Sequence, residues 1–128
     1  MAPAGLKCVS LMSELRGYLM TESHCFHQVA TASEIAPGEA LHVTVDERGI
    51  AVFNVDGEFY AIDDECTHAF ALLSDGYVEG DVIECPLHGG RFEIKTGKAI
   101  GPPCEMDVRT YPVRREGDAV LVGIPAAD

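Results

Sequence analysis

Short apolar runs broken by turn residues mark most of this chain, and their period is near two, not 3.6. From His24 onward, "CFHQVAT" (25–31) and "ALHVTV" (40–45) read as strands separated by the turn-forming "IAPGE" (35–39). "IAVFNV" (50–55) and "EFYAI" (58–62) flank Asp56-Gly57, a dipeptide favoured in two-residue hairpin turns. "VRTYPVRREGDAVLVGI" (108–124) reads as two more strands around Glu116-Gly117-Asp118, with Val108, Tyr111, Val113, Val120 and Val122 facing a core. No long helical period follows residue 23, and no repeat recurs at a fixed spacing. The pattern predicts an all-β fold over residues 23–126: an antiparallel β-sandwich or small barrel with an inserted subdomain at about 64–105. Residues 1–22 read as an N-terminal extension, free to move. Its Leu11, Leu15 and Tyr18 form one stripe of a helix too short to be stable alone. Met20, ahead of the polar "TESH", is an alternative start.

A length of 128 residues suits one domain. The net charge is −12, and it is unevenly spread. Residues 46–84 hold eleven Asp and Glu against the single Arg48, whereas residues 85–116 hold six Lys and Arg against four acids. Such a field repels nucleic acid and anionic lipid; it suits solubility or the steering of a basic protein partner. No apolar run approaches the roughly 18 residues of a membrane span. The N-terminal "MAPAGLKCVSLMSELRGYL" lacks both a clear h-region with a cleavage site and a twin arginine, so the expected home is the cytoplasm. Five cysteines, an odd number, argue against a disulfide framework. Cys8, Cys25 and Cys104 are expected to be free thiols, and His24, His27 and His42 structural or exposed.

The candidate chemistry lies in "ECTHAFALLSDGYVEGDVIECPLHGGRFEI" (65–94). Cys66-Thr67-His68 and Cys85-Pro86-Leu87-His88 each put one thiol and one imidazole on a tight loop, with sixteen residues between the pairs. Both groups are good ligands for zinc and for iron. Zinc fingers usually take two cysteines from one segment and two histidines from another. Mixed arms fit a dinuclear centre better, each loop giving its Cys to one metal and its His to the other. Two histidines replace two cysteines on one iron in that form of [2Fe–2S] cluster. A zinc-stabilised interaction module remains the alternative.

With these arms, and with "LSDGYVEGDVIECPLHGGRFEIKTGKA" around the second, the chain resembles a Rieske-type ferredoxin over about residues 24–124. The resemblance is specifically to the ferredoxin component of bacterial aromatic ring-hydroxylating dioxygenase systems. It implies that the inserted subdomain binds one Rieske [2Fe–2S] cluster. Cys66 and Cys85 would hold the inner iron, and His68 and His88 the outer iron, near the surface. Gly89 and Gly90 would let backbone N–H groups approach the cluster, and Pro102 and Pro103 match the proline loop covering its third side. Asp63, Asp64 and Glu65, just before the first arm, are placed for docking or for capping a loop.

High-potential Rieske proteins carry an extra cysteine in each arm and two hydroxyls donating to the cluster. Ala71 and Leu87 stand at the cysteine positions, and Gly90 and Phe92 at the hydroxyl positions. Fewer donors to cluster sulfur place the potential toward the low end of the Rieske range. The implied role is a monomeric one-electron carrier, not an enzyme. It would be reduced by an NAD(P)H-dependent flavoprotein reductase and oxidised by a terminal Rieske non-haem iron oxygenase of aromatic catabolism. The rival within the same fold is the Rieske-like small subunit of an assimilatory nitrite reductase.

Overall fold

The structure is a computed structural model that describes residues 7–15, 18–65, 71–87, 89–100 and 106–125. Cys66, His68, Phe70, His88, Pro102, Pro103 and Cys104 lie outside the described residues. Eleven strands form among those described: β1 (Lys7–Leu15), β2 (Tyr18–Thr31), β3 (Ala40–Val45), β4 (Arg48–Val55), β5 (Glu58–Asp63), β6 (Tyr77–Glu79), β7 (Val82–Glu84), β8 (Arg91–Glu93), β9 (Thr110–Tyr111), β10 (Val113–Glu116) and β11 (Ala119–Pro125). Two single 3₁₀ turns, Ala32–Glu34 and Leu73–Asp75, are the only helical pieces among the described residues. None is long and apolar enough to cross a membrane.

The strands make three antiparallel sheets. Their orders are β1-β2-β11-β10, β3-β4-β5-β9 and β6-β7-β8. The third falls wholly within the expected insertion at about 64–105. The tight β4–β5 hairpin forms where Asp56-Gly57 predicts it, with φ of +52° and +90° at the two turn residues. Asp46 and Glu47 close the β3–β4 hairpin in the same left-handed region, at φ +49° and +67°, without a glycine to announce the turn.

β4 explains the layering. Its burial is continuous from Ile50 to Val55, so both of its faces are covered. Ile50 and Val52 pack toward the first sheet, with Ala30, Ala61, Tyr111, Val120 and Val122. Ala51, Phe53 and Val55 point the opposite way, onto Leu73, Ile83, Cys85, Phe92 and Ile94 of the insertion. The alternation is that of any strand, with successive side chains on opposite faces. The second sheet is therefore shared by two cores. Asn54 is the polar interruption of this run. Its amide donates to the Ile35 carbonyl at 2.8 Å and accepts from the Gly57 N–H at 2.8 Å, tying a loop and a turn to the strand.

The N-terminal segment departs from expectation. Residues 7–15 form no helix; they pair as β1 with β2, from Lys7↔Phe26 to Leu15↔Tyr18. β2 also crosses the expected boundary at residue 23. A lone short helix gains little in water, whereas an extended segment here finds a ready partner in the exposed edge of β2. Cys8 and Cys25 are directly opposed in that ladder and joined by a disulfide, so they are not the free thiols expected of them.

The two faces of β4 give a prediction. Phe53→Ala and Ile50→Ala each empty a buried site and should cost about 3–5 and 2–5 kcal/mol in urea unfolding. Only Phe53→Ala, which undercuts the insertion, should also speed iron loss from the native protein to a chelator. Equal iron-loss rates in the two variants would contradict the shared-core account.

Candidate functional site

The insertion leaves the second sheet at the end of β5 and soon returns to it. Glu65 pairs with Leu72 in an isolated antiparallel bridge, and the Leu73 N–H donates to the Asp64 carbonyl at 2.6 Å. The described residues on either side of 66–70, Glu65 and Leu72, are thus held side by side. The 3₁₀ turn Leu73–Asp75 follows, closed by the Gly76 N–H on the Leu73 carbonyl at 2.9 Å.

The second arm grows out of β7. Cys85 follows Glu84 directly, and its N–H donates to the Gly90 carbonyl at 2.7 Å. The Gly89 N–H donates back to the Cys85 carbonyl at 3.2 Å, so residues 85–90 form a closed loop ahead of β8. Gly89 has φ +72°, a left-handed conformation that needs no Cβ penalty. Cys85 itself is 1% exposed and is packed among Leu73, Ile83 and Phe92. It is in no disulfide.

The structure brings the two arms together. Glu65, Ala71, Leu72 and Asp75 from the first, with Pro86 and Leu87 from the second, line one open concavity of about 560 Å³. Leu72 and the 56%-exposed Leu87 leave apolar surface at its rim. Contact extends to the backbone: a Cβ on Gly76 would sit 2.1 Å from the Glu84 carbonyl oxygen. Because three of the four expected ligands lie outside the described residues, the described ones alone hold no group of three metal-ligating side chains. What they show fits the expected centre: a free, buried thiol stands at the root of the second arm, in the core that Leu73 and Ala71, just after the first Cys/His pair, also join.

The acids before the first arm divide by environment, and this corrects the docking reading. Only Glu65 is exposed. Asp63 accepts a short hydrogen bond from the Tyr111 hydroxyl, which also receives Arg48 Nη1 at 3.3 Å. Burial, then the bond to Asp63, pushes the Tyr111 phenol up from its ordinary pKa. Asp64 is fully buried. Its carboxyl accepts from the Ser74 N–H and hydroxyl, both at 2.6 Å, and is hydrogen-bonded to His42 Nδ1. His42 and Ser74 were not expected near the site. A period-two count gives the missing signal, since it puts Asp64 on the inward face of Ile62.

The close backbone approach at Gly76 is testable. Gly76→Ala should push the first arm away from β7, lowering both the thermal midpoint and the iron bound per chain. Gly38→Ala, in open space at φ +84°, should cost only about 1 kcal/mol of left-handed strain and leave iron content unchanged. Wild-type iron content in Gly76→Ala would contradict the contact.

Comparison with known proteins bears on the whole arrangement. The Rieske [2Fe-2S] domain matches residues 25–112. A biphenyl dioxygenase ferredoxin subunit from Pseudomonas sp. (strain KKS102) is 47% identical over 103 residues, covering 80% of this chain and 94% of the relative. The ferredoxin component of a naphthalene 1,2-dioxygenase system from Pseudomonas aeruginosa is 47% identical over 91 residues, covering 71% and 88%. Among solved structures, the complex of reduced oxygenase and oxidised ferredoxin in carbazole 1,9a-dioxygenase includes a chain that superposes with a TM-score of 0.72 at 40% identity, over 76% of this chain and 91% of that one. A Mycobacterium tuberculosis protein described as a "putative NADH-dependent nitrite reductase small subunit" shares the fold alone, with a TM-score of 0.73 at 21% identity over 81% of this chain and 98% of that one. With the family match spanning both arms and the sheets that carry them, this chain belongs to the Rieske [2Fe-2S] domain family and carries one Rieske-type [2Fe–2S] cluster.

Proposed function

We propose that this protein is the ferredoxin component of an aromatic ring-hydroxylating dioxygenase system. In this role it is a one-electron carrier and transforms no substrate. It takes electrons from an NAD(P)H-dependent flavoprotein reductase and delivers them to a terminal Rieske non-haem iron oxygenase, in the cytoplasm. The observation that carries the reading is the meeting of the two arms around one open concavity, with Cys85 anchored in the core beneath it. Support comes also from relatives at 47% identity, which are ferredoxin components and subunits, against 21% for the Mycobacterium tuberculosis protein.

We assign Cys66 and Cys85 to the inner iron and His68 and His88 to the outer iron. Gly89 and Gly90 back the second arm, and Pro102 and Pro103 cover the remaining side. When bound, the cluster supplies a site that gains and loses a single electron. The chain's own residues hold that site still: Cys85 is locked by reciprocal backbone bonds with Gly89 and Gly90 and by the core around it. Exposed Leu72 and Leu87 offer a small apolar docking rim, and exposed Glu65 and Asp75 put negative charge beside it. Small, transient interfaces are usual for electron-transfer partners. Charge sets the encounter rate and the apolar rim sets the orientation.

The purified protein should contain about two irons and two sulfides per chain, give a rhombic EPR signal when reduced, and show a midpoint on the order of −150 mV. Stoichiometric zinc without iron would instead support the interaction-module reading, and a midpoint above about +100 mV would refute the low-potential assignment.

Docking is tested by stopped-flow mixing of reduced protein with oxygenase. The second-order rate should fall as salt rises, because attraction over a Debye length of about 10 Å at 0.1 M is screened. Glu65→Lys with Asp75→Lys should slow association with iron content unchanged. A flat salt response would remove the steering role, and loss of rate in Leu87→Ala alone would leave docking to the apolar rim.

A further inference from the structure

Asp64 is a fully buried carboxyl group, at 0% exposed. Every polar group it carries is engaged. Its N–H donates to the Gly49 carbonyl of β4 at 3.1 Å, and its carbonyl accepts from the Leu73 N–H at 2.6 Å. Oδ1 accepts from the Ser74 N–H, and Oδ2 from the Ser74 hydroxyl, each at 2.6 Å. Oδ2 is also hydrogen-bonded to Nδ1 of His42, whose Nε2 lies 3.4 Å from the Thr44 hydroxyl on the same strand. One side chain therefore joins β3 to the 3₁₀ turn that follows the first arm, while its own backbone sits on β4 immediately before that arm.

We propose that Asp64 is a positioning residue for the cluster: it clamps the departure and the return of the first ligand arm to the second sheet, and so fixes where Cys66 and His68 are presented. The inference rests on the reading of residues 66–71 as that arm. Burying a carboxyl group is costly unless its lone pairs are filled. Here all its partners belong to the two ends of the arm or to the sheet beneath, so the arm cannot shift without orphaning several of them together. The choice of a carboxyl follows from the inventory of donors. Ser74 supplies an N–H and an O–H, and His42 a ring N–H, onto two oxygens that only accept. An amide would turn its NH₂ toward at least one of these donors. At the Oδ1 place it would face the Ser74 N–H with no remedy, and at the Oδ2 place it could be accommodated only by rotating the Ser74 hydroxyl and changing the His42 tautomer together.

A merely structural acid would alter stability and nothing else, so the test reads the cluster. Full-length holoprotein carrying Ser74→Ala, Asp64→Asn or Asp64→Ala is compared with wild type for EPR line shape in the reduced state and for the rate of iron loss to a chelator. Expected is a graded series in that order, with broadened EPR features and iron loss accelerated roughly tenfold or more in Asp64→Ala, since several buried donors are left unpaired. Wild-type line shape and wild-type iron-loss rate in Asp64→Ala that is folded but less heat-stable would overturn the proposal. Where Asp64→Ala does not fold, unchanged line shapes and rates in both Asp64→Asn and Ser74→Ala overturn it equally. Cys66→Ala serves as the control: if it keeps the wild-type spectrum, the assignment of the arm itself fails, whatever Asp64 does.

Discussion

The packing of Ala51, Phe53 and Val55 onto Ile83, Cys85 and Phe92 joins the inserted subdomain to the sandwich. The third sheet has strands of only three residues, too little to bury a core by itself. Its apolar face is closed by the outer face of β4, whose inner face is already committed to the first sheet. Cys85 belongs to that shared core, so the same hydrophobic contact that stabilises the insertion also holds one proposed ligand in place. Rigidity at the base and openness at the rim then follow from one layer arrangement.

Much of this was legible in the sequence, and the reasons are local. "ALHVTV" became β3 over Ala40–Val45, because alternation and bounding turn residues act within a few positions. Asp56-Gly57 made its hairpin turn for the same reason. The continuous run "IAVFNV" reads as a strand, but that both its faces are covered depends on which sheets stack on it, and no local pattern carries that. The Leu11, Leu15, Tyr18 stripe misled. Positions spaced by four and three residues fit a helix, yet the exposed edge of β2 offered a whole ladder of hydrogen bonds. An odd cysteine count likewise hid a pair that becomes visible only when Cys8 and Cys25 are placed opposite each other in that ladder.

The site shows the same division. Four Cys and His at a telling spacing announce a metal centre without any structure, because ligand chemistry is written in residue types. The Asp63-Asp64-Glu65 run, by contrast, reads as one acidic patch. The fold splits it into a half-buried partner of Tyr111, a buried clamp and a single exposed charge. Burial depends on the turn of the chain at the end of β5, and composition cannot report it. The acidic surface available to a partner is accordingly smaller than the sequence count implies. Beside the apolar rim the exposed acids are Glu65 and Asp75, which suits brief, oriented encounters more than a stable complex.

The central claim is that two mixed Cys/His arms hold one dinuclear cluster with both imidazoles on the same iron. Pulsed electron–nuclear double resonance on dithionite-reduced protein, labelled with ¹⁵N only in histidine, addresses it directly. The account predicts couplings from two histidine nitrogens to one localised reduced iron, with both lost or replaced in His88→Ala. A signal with no histidine coupling, or an unchanged spectrum in His88→Ala, would contradict it.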